Sequence, residues 1–441
     1  MSHIKGISVP HRKNTAESVP VRMPAPKIAY YPMTQHIGAP ATPTVKKGDA
    51  VCVGTLIGEA AGFVSSPIYS GVSGTVKSVE ETLQPSGAAA LTVIVECDGL
   101  QTPDSSIAPP EVFDKESFIS AIRASGVVGL GGAGFPTSVK LGTKENVKIE
   151  IMVINGAECE PYLTGDTRTM IDRADEIAEG IELCRRYLGV ESFVIGIEKN
   201  KPQCIKNMRK IAADHSDVRV AVLPSSYPQG AEKVITYNTT GRVIGEGKLP
   251  IDCGVAVVNC TTLASVARYV KTGIPLVEKC ITVAGGAVAK PANVTAPIGT
   301  PVGDVFDFCG GFSGEPAEVL YGGPMMGIAV ADFTLPVLKQ TNGLLALSYA
   351  EASPRAATPC IRCGRCTNAC PFGLAPVAIA AANDAADMEA LKKLKVNLCM
   401  ECGCCSYVCP AKRPLVQQNK LAKAALRSYQ SKQDKKKGAE K

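Results

Sequence analysis

Eight cysteines near the end of the chain have a spacing that suits iron–sulfur chemistry. They form two copies of the pattern C-x2-C-x2-C-x3-C-P, the first over 360–371 and the second over 399–410. This spacing holds cubane [4Fe–4S] clusters in bacterial two-cluster ferredoxins, where one tight loop brings three thiolates to one cube and the Cys-Pro cysteine of the other copy fills the fourth corner. The sequence therefore predicts two clusters that tie the two loops together.

Each predicted cluster takes three cysteines from one loop and the fourth from the other. The ligands of the first cluster are Cys360, Cys363, Cys366 and Cys409. The ligands of the second cluster are Cys370, Cys399, Cys402 and Cys405. Cys404 has no predicted ligand role, because the first copy has Arg365 at the same position.

Two other uses of paired cysteines fit the pattern less well. A structural zinc site takes four thiolates from two CxxC pairs and gives no reason for three cysteines per loop. A disulfide framework is typical of secreted chains, whereas this sequence begins Met-Ser-His-Ile-Lys-Gly without an apolar signal stretch. We therefore expect a reducing compartment and iron–sulfur clusters.

A glycine-rich segment, 126–140, has the composition of a ligand-binding loop. Gly129, Gly131 and Gly134 make a formal G-x-G-x-x-G. A dinucleotide loop of that type follows a strand, whereas the residues before this one read as a helix, so the pattern alone also fits an ordinary glycine-rich turn. Consecutive glycines let backbone N–H groups approach a phosphate or a flat ring, and Lys140 can meet a phosphate charge. Clusters on the same chain need an electron source, which favours a redox cofactor here.

Composition and charge exclude several classes of function. The length of 441 residues corresponds to about three domains of ~150 residues each, and the hydrophobic content of 45% is enough for their cores. No apolar run reaches the ~18 residues that a membrane-spanning helix needs. The net charge is +6, and from Lys412 onward ten basic and two acidic residues leave +8. This basic tail lacks the interleaved aromatic residues of a nucleic-acid stacking platform, so no nucleic acid is expected as a partner.

The first elements that could position these residues are short β-type runs between 27 and 98. Two of them, 45–51 and 66–76, resemble the halves of a barrel-sandwich hybrid of the biotinyl or lipoyl type. A carrier domain needs a lysine on the hairpin between the halves, and 58–74 contains none. We therefore expect a docking module in place of a swinging arm.

The middle of the chain alternates between helical and strand patterns. One long helix is predicted over 167–188, where apolar residues recur at spacings of three and four. A strand pair, 280–284 and 287–289, is predicted to turn at the two glycines between them. The alternation indicates an α/β layer with a mostly parallel sheet.

Several segments together resemble a known family. Residues 129–140 resemble the flavin loop of the NADH-oxidising, FMN-bearing subunit of respiratory complex I, and 155–161 resemble its second flavin and nicotinamide segment. Six further segments are QHIGA (35–39), KGD (47–49), AECEPY (157–162), GIEKNKP (196–202), YPQGAEK (227–233) and YGGPMMG (321–327). Together with the cluster motifs, this combination is more similar to the RnfC family of the Rnf electron-transport complex, from about residue 28 to 416.

The resemblance implies a multidomain α/β fold with four folded parts. These are a β barrel-sandwich hybrid, a Rossmann-like FMN/NADH domain, a β-grasp domain of the SLBB type and a helical ferredoxin-type domain with two [4Fe–4S] clusters. The expected boundaries are 1–26 irregular, 27–100 barrel-sandwich hybrid, 101–115 linker, 116–253 FMN/NAD(H) domain, 254–345 SLBB-type region, 358–416 cluster domain and 417–441 basic tail.

The resemblance also implies roles for residues outside the cluster loops. Gly129, Gly131, Gly132 and Lys140 would cradle non-covalent FMN. Asn155, Glu158, Glu232, Asn259 and Thr262 would line its ring and phosphate. Phe135 would stack on the nicotinamide or adenine of NAD(H), and Glu160 would bind its hydroxyls. Two departures from the complex I pattern, Leu141 in place of an aromatic and Ala157 in place of an acid, bear on the NAD(H) contacts, and both glutamates could also be solvated loop acids.

The function that the resemblance implies is electron transfer between NAD and ferredoxin in an ion-translocating membrane complex. The expected partners are integral membrane subunits and a ferredoxin-type iron–sulfur subunit, with ferredoxin acting indirectly, and the expected location is the cytoplasmic side of the cell membrane. Two alternatives remain: a soluble flavo-iron–sulfur NADH reductase of the proline-reductase-associated or cobalamin-reducing type, and a non-catalytic electron conduit.

Overall fold

The computed structural model describes residues 3–85, 87–143, 147–352 and 356–439. Residues 3–26 have little regular structure apart from β1 (Val21–Arg22). They are nevertheless closely packed, because Val9, Thr15 and Met23 are each at most 5% exposed. The segment thus lies against later parts of the chain.

The barrel-sandwich hybrid consists of two sheets that face each other. Its strands are β2 (Ile28–Pro32), β3 (Thr42–Pro43), β4 (Ala50–Val51), β5 (Leu56–Glu59), β6 (Ile68–Tyr69), β7 (Gly74–Leu83) and β8 (Ala89–Cys97). The order is β2-β8-β7-β4 in one sheet and β3-β5-β6 in the other. Tyr31, Ile57 and Val93 are fully buried between them, and their cluster continues into the next domain. This apolar contact fixes the barrel against the second domain.

The second domain is a parallel sheet with helices packed on it. Its elements are α1 (Lys115–Ala124), α2 (Thr137–Leu141), β9 (Ile151–Asn155), α3 (Gly165–Asp172), α4 (Ala174–Leu188), β10 (Ser192–Glu198), α5 (Pro202–Ala213), β11 (Val218–Leu223), α6 (Glu232–Thr240), a 3-10 turn (Pro250–Cys253), β12 (Val255–Asn259) and α7 (Cys260–Thr272). All pairings in the order β11-β10-β9-β12 are parallel. The central strands are apolar along their length, as a sheet covered on both faces requires.

Two sequence predictions change in this domain. The helix expected over 167–188 is interrupted at Arg173, whose φ of −128° and ψ of 32° are not helical, so α3 and α4 are separate. The strand β12 and the helix α7, grouped above with the 254–345 region, belong here, because β12 pairs with β9. The pairing of β12 with β9 decides to which domain these two elements belong, and strand pairing cannot be read directly from the sequence.

The third domain has a mixed sheet that includes the N-terminal β1. Its own elements are β13 (Glu278–Ala284), β14 (Ala292–Pro297), α8 (Val302–Phe308), β15 (Glu318–Tyr321), β16 (Ile328–Ala329), β17 (Gly343–Leu347) and α9 (Tyr349–Ala352). The order is β1-β14-β13-β17-β15-β16. The predicted partner strand 287–289 is wrong, because β13 pairs with β14, and Val288 makes only an isolated bridge to Phe312.

The C-terminal domain is helical. It contains α10 (Arg365–Ala369), α11 (Pro376–Asp384), α12 (Met388–Lys393), a 3-10 turn (Val396–Leu398), α13 (Cys404–Tyr407) and α14 (Leu415–Ala439). Residues 417–439 of the predicted basic tail belong to α14, which buries Ala422 and Leu426 against α11 and α12. Among the described residues, no helix is both long and apolar enough to cross a membrane.

Candidate functional site

A cavity of about 1170 Å³ lies where the four domains meet. The flavin domain supplies most of its wall, the barrel adds the tip of its β7–β8 hairpin, the third domain adds residues around 321–328 and 338–342, and the cluster domain adds Met400. All of the predicted non-cysteine site residues line it: Gly129, Gly131, Gly132, Phe135, Lys140, Asn155, Glu158, Glu160, Glu232, Asn259 and Thr262. Residues that are far apart in sequence thus form one wall.

The glycine loop is a closed turn with its backbone turned toward the cavity. Gly129 N–H donates to the Phe135 carbonyl at 2.8 Å, and Gly134 N–H donates back to the Gly129 carbonyl at 3.0 Å. Gly132 has a φ of +116°, a backbone conformation that favours glycine. A Cβ at residue 131 would lie 3.1 Å from Asn259 Nδ2. Glycine at residue 131 therefore lets the loop pass close to Asn259, and Gly129, Gly131 and Gly132 line the cavity with backbone alone.

Lys140 and Glu232 form the charged part of the wall. Lys140 Nζ, at the end of α2, donates to Glu232 Oε1 at 2.6 Å and to the Val257 carbonyl at 3.1 Å. About a third of the Lys140 side chain is exposed. The ammonium is thus held over the cavity by α6 and β12 and keeps access to a ligand anion.

The start of α7 connects the glycine loop to α3. Asn259 Oδ1 caps α7 by accepting from Thr262 N–H at 3.1 Å, while Asn259 Nδ2 donates to Asp166 Oδ2 at 2.7 Å. Thr262 Oγ1 accepts from Leu130 N–H at 2.9 Å. These two predicted site residues therefore hold the loop that carries the glycines, and Asp166 is a residue that sequence reasoning missed.

Glu158 is buried and is not a solvated acid. Its carboxylate accepts from Asp166 N–H at 2.7 Å and Thr167 Oγ1 at 2.6 Å, at the beginning of α3. Its side chain is 5% exposed, and this burial raises the pKa of its carboxyl group. Asn155 fixes the preceding turn, since its Nδ2 donates to the Gly230 carbonyl at 2.9 Å and its Oδ1 accepts from Ala157 N–H at 3.1 Å.

Glu160 is partly buried, and its two carboxyl oxygens differ in their contacts with the described residues. Oε2 accepts from Met325 N–H at 3.0 Å, whereas Oε1 has no hydrogen-bond partner among the described residues. A Cβ at residue 323 would come within 2.2 Å of Oε2, so glycine is needed there. Burial raises the pKa of Glu160 to about 7. The cavity wall therefore contains a carboxyl group whose Oε1 accepts no hydrogen bond from the described residues.

The two cysteine loops have the same backbone conformation. In each copy the second cysteine lies between two residues with a positive φ. These are Arg362 and Gly364 in the first copy and Glu401 and Gly403 in the second. Each glycine begins a short helix, α10 or α13. Residues with side chains adopt this left-handed conformation at an energetic cost. Its recurrence at equivalent positions indicates a fold built to present three thiols from each loop.

The cysteines of the second predicted set lie near one another. Burial and then the neighbouring Cys402 raise the pKa of Cys405 to about 12, with smaller contributions from Cys399 and Cys370. In the first set, Cys366 and Cys409 share a buried apolar cluster with Leu415, in which Cys405 also takes part. Cys363 is exposed. Within the described ranges, no three metal-ligating side chains already converge on one point.

The second cysteine loop lies directly against the cavity. Tyr227, which lines the cavity, donates its hydroxyl to the Cys402 carbonyl at 2.7 Å. A Cβ at residue 403 would lie 2.6 Å from the Met325 carbonyl, so this loop also touches the third domain. Cys404 is 1% exposed and packs with Cys402 and Tyr227. The ligand cavity and the second cluster loop thus share one wall.

Lys279 is a further cavity residue without a predicted role. It is 4% exposed, its Nζ donates to the Leu130 carbonyl at 3.0 Å, and burial lowers its pKa. It lies on β13 of the third domain, far from the glycine loop in sequence. It directly follows Glu278 at the start of the strand, and no pattern in the sequence distinguishes it from an exposed strand-end lysine.

Four family models match the chain in order along its length. They are the RnfC barrel-sandwich hybrid domain (1–100), the Nuo51 FMN-binding domain (122–268), the SLBB domain (280–329) and a 4Fe-4S dicluster domain (356–413). These matches confirm the predicted multidomain fold. The chain therefore has an FMN-binding domain and a domain for two [4Fe–4S] clusters.

The chain is similar over most of its length to curated relatives. It is 43% identical over 379 residues to the C subunit of the Na+-translocating ferredoxin:NAD+ oxidoreductase complex of Acetobacterium woodii, with 85% of this chain and 86% of the relative covered. This protein belongs to the RnfC family. It is also 41% identical over 426 residues to the C subunit of the ion-translocating oxidoreductase complex of Rhodobacter capsulatus, with 96% of this chain and 82% of the relative covered.

Solved structures agree on the fold. An NAD+-reducing [NiFe]-hydrogenase in its H2-reduced state aligns with a TM-score of 0.50 at 18% identity. The alignment covers 71% of this chain and 63% of the hydrogenase chain, so this chain spans less than two thirds of the hydrogenase chain's length. At this identity the similarity concerns the fold alone.

Proposed function

We propose that this RnfC-family protein is the NAD(H)-facing subunit of a membrane-bound, ion-translocating ferredoxin:NAD+ oxidoreductase. The observation that carries the proposal is the shared wall: one cavity is lined by the whole predicted flavin and NAD(H) set, and Tyr227 connects it to the Cys402 carbonyl. A bound FMN supplies hydride exchange with NAD and single-electron exchange with iron–sulfur clusters. The protein itself supplies position and charge.

The proposed flavin contacts follow from the donors that face the cavity. Gly129, Gly131 and Gly132 provide backbone that no Cβ obstructs, and Lys140 provides a cation for the phosphate. Glu232 holds that cation in place. Asn155, Asn259 and Thr262 fix the turns around the ring, because their polar atoms are engaged with the loop backbone and with Asp166.

The proposed NAD(H) contacts involve Phe135 and Glu160. Phe135 lies partly exposed in the cavity wall, where a ring can stack on the nicotinamide or adenine. Glu160 Oε1 is a buried acceptor without a partner among the described residues, suited to a ribose hydroxyl donor. The proposed role of Glu158 is indirect, since its carboxylate caps α3.

The proposed order of the clusters follows from burial. The second cluster, with ligands Cys370, Cys399, Cys402 and Cys405, would be next to the flavin, because its loop touches the cavity. The first cluster, with ligands Cys360, Cys363, Cys366 and Cys409, would be the exit, because Cys363 is exposed and Cys409 lines an open groove with Arg365, Tyr407 and Lys412. Electrons would leave there toward the iron–sulfur subunit of the complex.

The proposed location is the cytoplasmic face of the cell membrane, where integral membrane subunits would hold the protein. A purified, iron-reconstituted chain tests the function. We expect about one FMN and about eight irons per chain, and NADH should bleach the flavin and then reduce the clusters. Absence of FMN, or clusters reduced by dithionite but never by NADH, would instead support the non-catalytic conduit.

A further inference from the structure

The N-terminal residues 3–26, here called the strap, contact several parts of the functional site. Ile7 bridges to Tyr227, and Val9 packs in one cluster with Tyr227, Cys402 and Cys404. Farther along, the His11 carbonyl accepts from Tyr162 N–H at 2.9 Å. The strap therefore touches both the second cluster loop and the segment that carries Glu160.

Lys13 is the residue of the strap that enters this segment. Its Nζ donates to the Glu158 and Glu160 carbonyls, each at 2.8 Å, and also to the Leu163 carbonyl. An ammonium has three donors, and here all three are used on one turn of backbone. The Lys13 side chain is only 14% exposed, and its nearest carboxylate, Glu158 Oε2, is 4.0 Å away. The amine is thus committed mainly to carbonyl oxygens.

The segment that Lys13 holds, residues 157–163, has an unfavourable backbone. Glu158 has a φ of +45° and Tyr162 a φ of +69°, values that side-chain-bearing residues seldom adopt. Such a conformation persists only where the surroundings determine it. Lys201 Nζ holds the other end by donating to the Ala157 carbonyl at 2.6 Å. Two lysines from distant parts of the chain, one largely buried and one buried, therefore set the shape of this acidic segment.

We infer that Lys13 is a positioning residue for the dinucleotide site, because it holds segment 157–163 in the conformation that turns Glu160 into the cavity. The inference rests on the proposed function only for the identity of the ligand. The Glu160 Oε1 has no hydrogen-bond partner among the described residues, and the backbone carbonyl of the same residue accepts from Lys13, so a change at Lys13 moves the acceptor without touching the glycine loop. The strap thereby becomes part of the substrate site.

The test compares three variants of the full, cofactor-loaded chain. Lys13→Met removes the donors, Lys13→Arg keeps charge and donors, and Lys5→Met is a matched control on an exposed lysine of the same strap. Hydrogen exchange of the amides in 157–163 reports on the segment itself. We expect exchange in Lys13→Met to be about tenfold faster there, as for loss of a buried charged hydrogen bond, and unchanged in Lys5→Met.

Kinetics separate positioning from plain stability. In Lys13→Met the KM for NADH should rise about tenfold while FMN and iron contents stay at the parent level, and Lys13→Arg should recover most of the loss. Unchanged exchange in 157–163 overturns the inference, and so does faster exchange with an unaltered KM. If Lys13→Met does not fold, Lys13→Gln, which loses the charge and keeps only a neutral amide donor, takes its place, and parent-level exchange in 157–163 together with a parent-level KM then overturns the inference. If NADH reduces neither the flavin nor the clusters of the parent protein, the proposed function is refuted. The hydrogen-exchange data then still decide whether Lys13 holds segment 157–163.

Discussion

The hydroxyl of Tyr227 donates a 2.7 Å hydrogen bond to the backbone carbonyl of Cys402. Tyr227 is 1% exposed and belongs to the loop before α6, whereas Cys402 lies in the second cysteine loop, 175 residues later. This bond is a direct polar contact between the cavity wall and a predicted cluster ligand. It gives this junction between the cavity wall and the second cysteine loop a defined geometry.

Replacing Tyr227 with Phe should loosen this junction while leaving the flavin bound. The Cys402 carbonyl would lose a buried donor, at a cost of about 1 kcal/mol in the free energy of unfolding. We expect a shifted potential for the second cluster in EPR-monitored redox titration and slower cluster reduction by NADH. Tyr69→Phe is the control, because its hydroxyl also binds a backbone carbonyl, that of Ala124, away from the clusters. Equal behaviour of both variants would contradict a special role for Tyr227.

The flavin site is tested by two changes that act in different ways. Lys140→Ala removes the cation held by Glu232, and Gly131→Val places a side chain against Asn259 Nδ2. A charge-assisted hydrogen bond contributes about 1.5–3 kcal/mol, so FMN affinity should fall ~10- to 100-fold in Lys140→Ala. Flavin released on denaturation is the measurement. Lys148→Ala is the control, because it breaks only an exposed ion pair with Glu191, and it should retain FMN. Parent-level FMN in both test variants would show that the glycine loop is an ordinary turn without a role in flavin binding.

The ligand assignment predicts that the last cysteine of each loop binds the cluster held mainly by the other loop. Cys370→Ser should damage the cluster held mainly by the second loop, and Cys409→Ser the cluster held mainly by the first. Low-temperature EPR with iron counts on each variant distinguishes the two signals. Cys404→Ser is the control and should keep both. A parent iron content near four per chain, or bound zinc, would contradict the two-cluster assignment.

Local patterns in the sequence predicted the parts of the site that are local in the structure. The cysteine spacing required two similar loops, and Arg362 and Glu401 indeed share a left-handed backbone. The alternation of strands and helices predicted the parallel sheet, because buried parallel strands read as apolar runs. The resemblance of 129–140 and 155–161 to flavin segments identified two stretches that line one cavity.

Contacts between distant segments could not be predicted in this way. Lys13 lies in a stretch without helical or strand periodicity, and only the fold shows its amine on the carbonyls of Glu158 and Glu160. Lys339 is similar: it is 1% exposed, and its Nζ binds the carbonyls of Pro67 and Gly126, which join the barrel to the start of the glycine loop. Such lysines bind backbone carbonyls in place of an acidic side chain, so the sequence contains no paired acidic residue that would identify them.

Glu160 makes the protein's stability depend on pH in a definite direction. Burial raises its pKa to about 7, well above the usual carboxyl value, so between roughly pH 4.5 and 7 the folded state holds a proton that the unfolded state has lost. The free energy of unfolding should therefore fall as pH rises through this window. One pKa unit corresponds to about 1.4 kcal/mol, so the total loss is on the order of 3 kcal/mol.

Glu160→Gln removes this ionisation and should flatten that part of the stability curve. Urea unfolding of the FMN-loaded protein without NAD(H), followed by flavin fluorescence between pH 5.5 and 8, measures it. The variant should gain stability relative to the parent as pH rises, because the neutral amide avoids the cost of a buried charge. Glu191→Gln, at an exposed position, should track the parent throughout. Parallel curves for Glu160→Gln and the parent would show that the Glu160 carboxyl is not protonated in the folded protein near neutral pH.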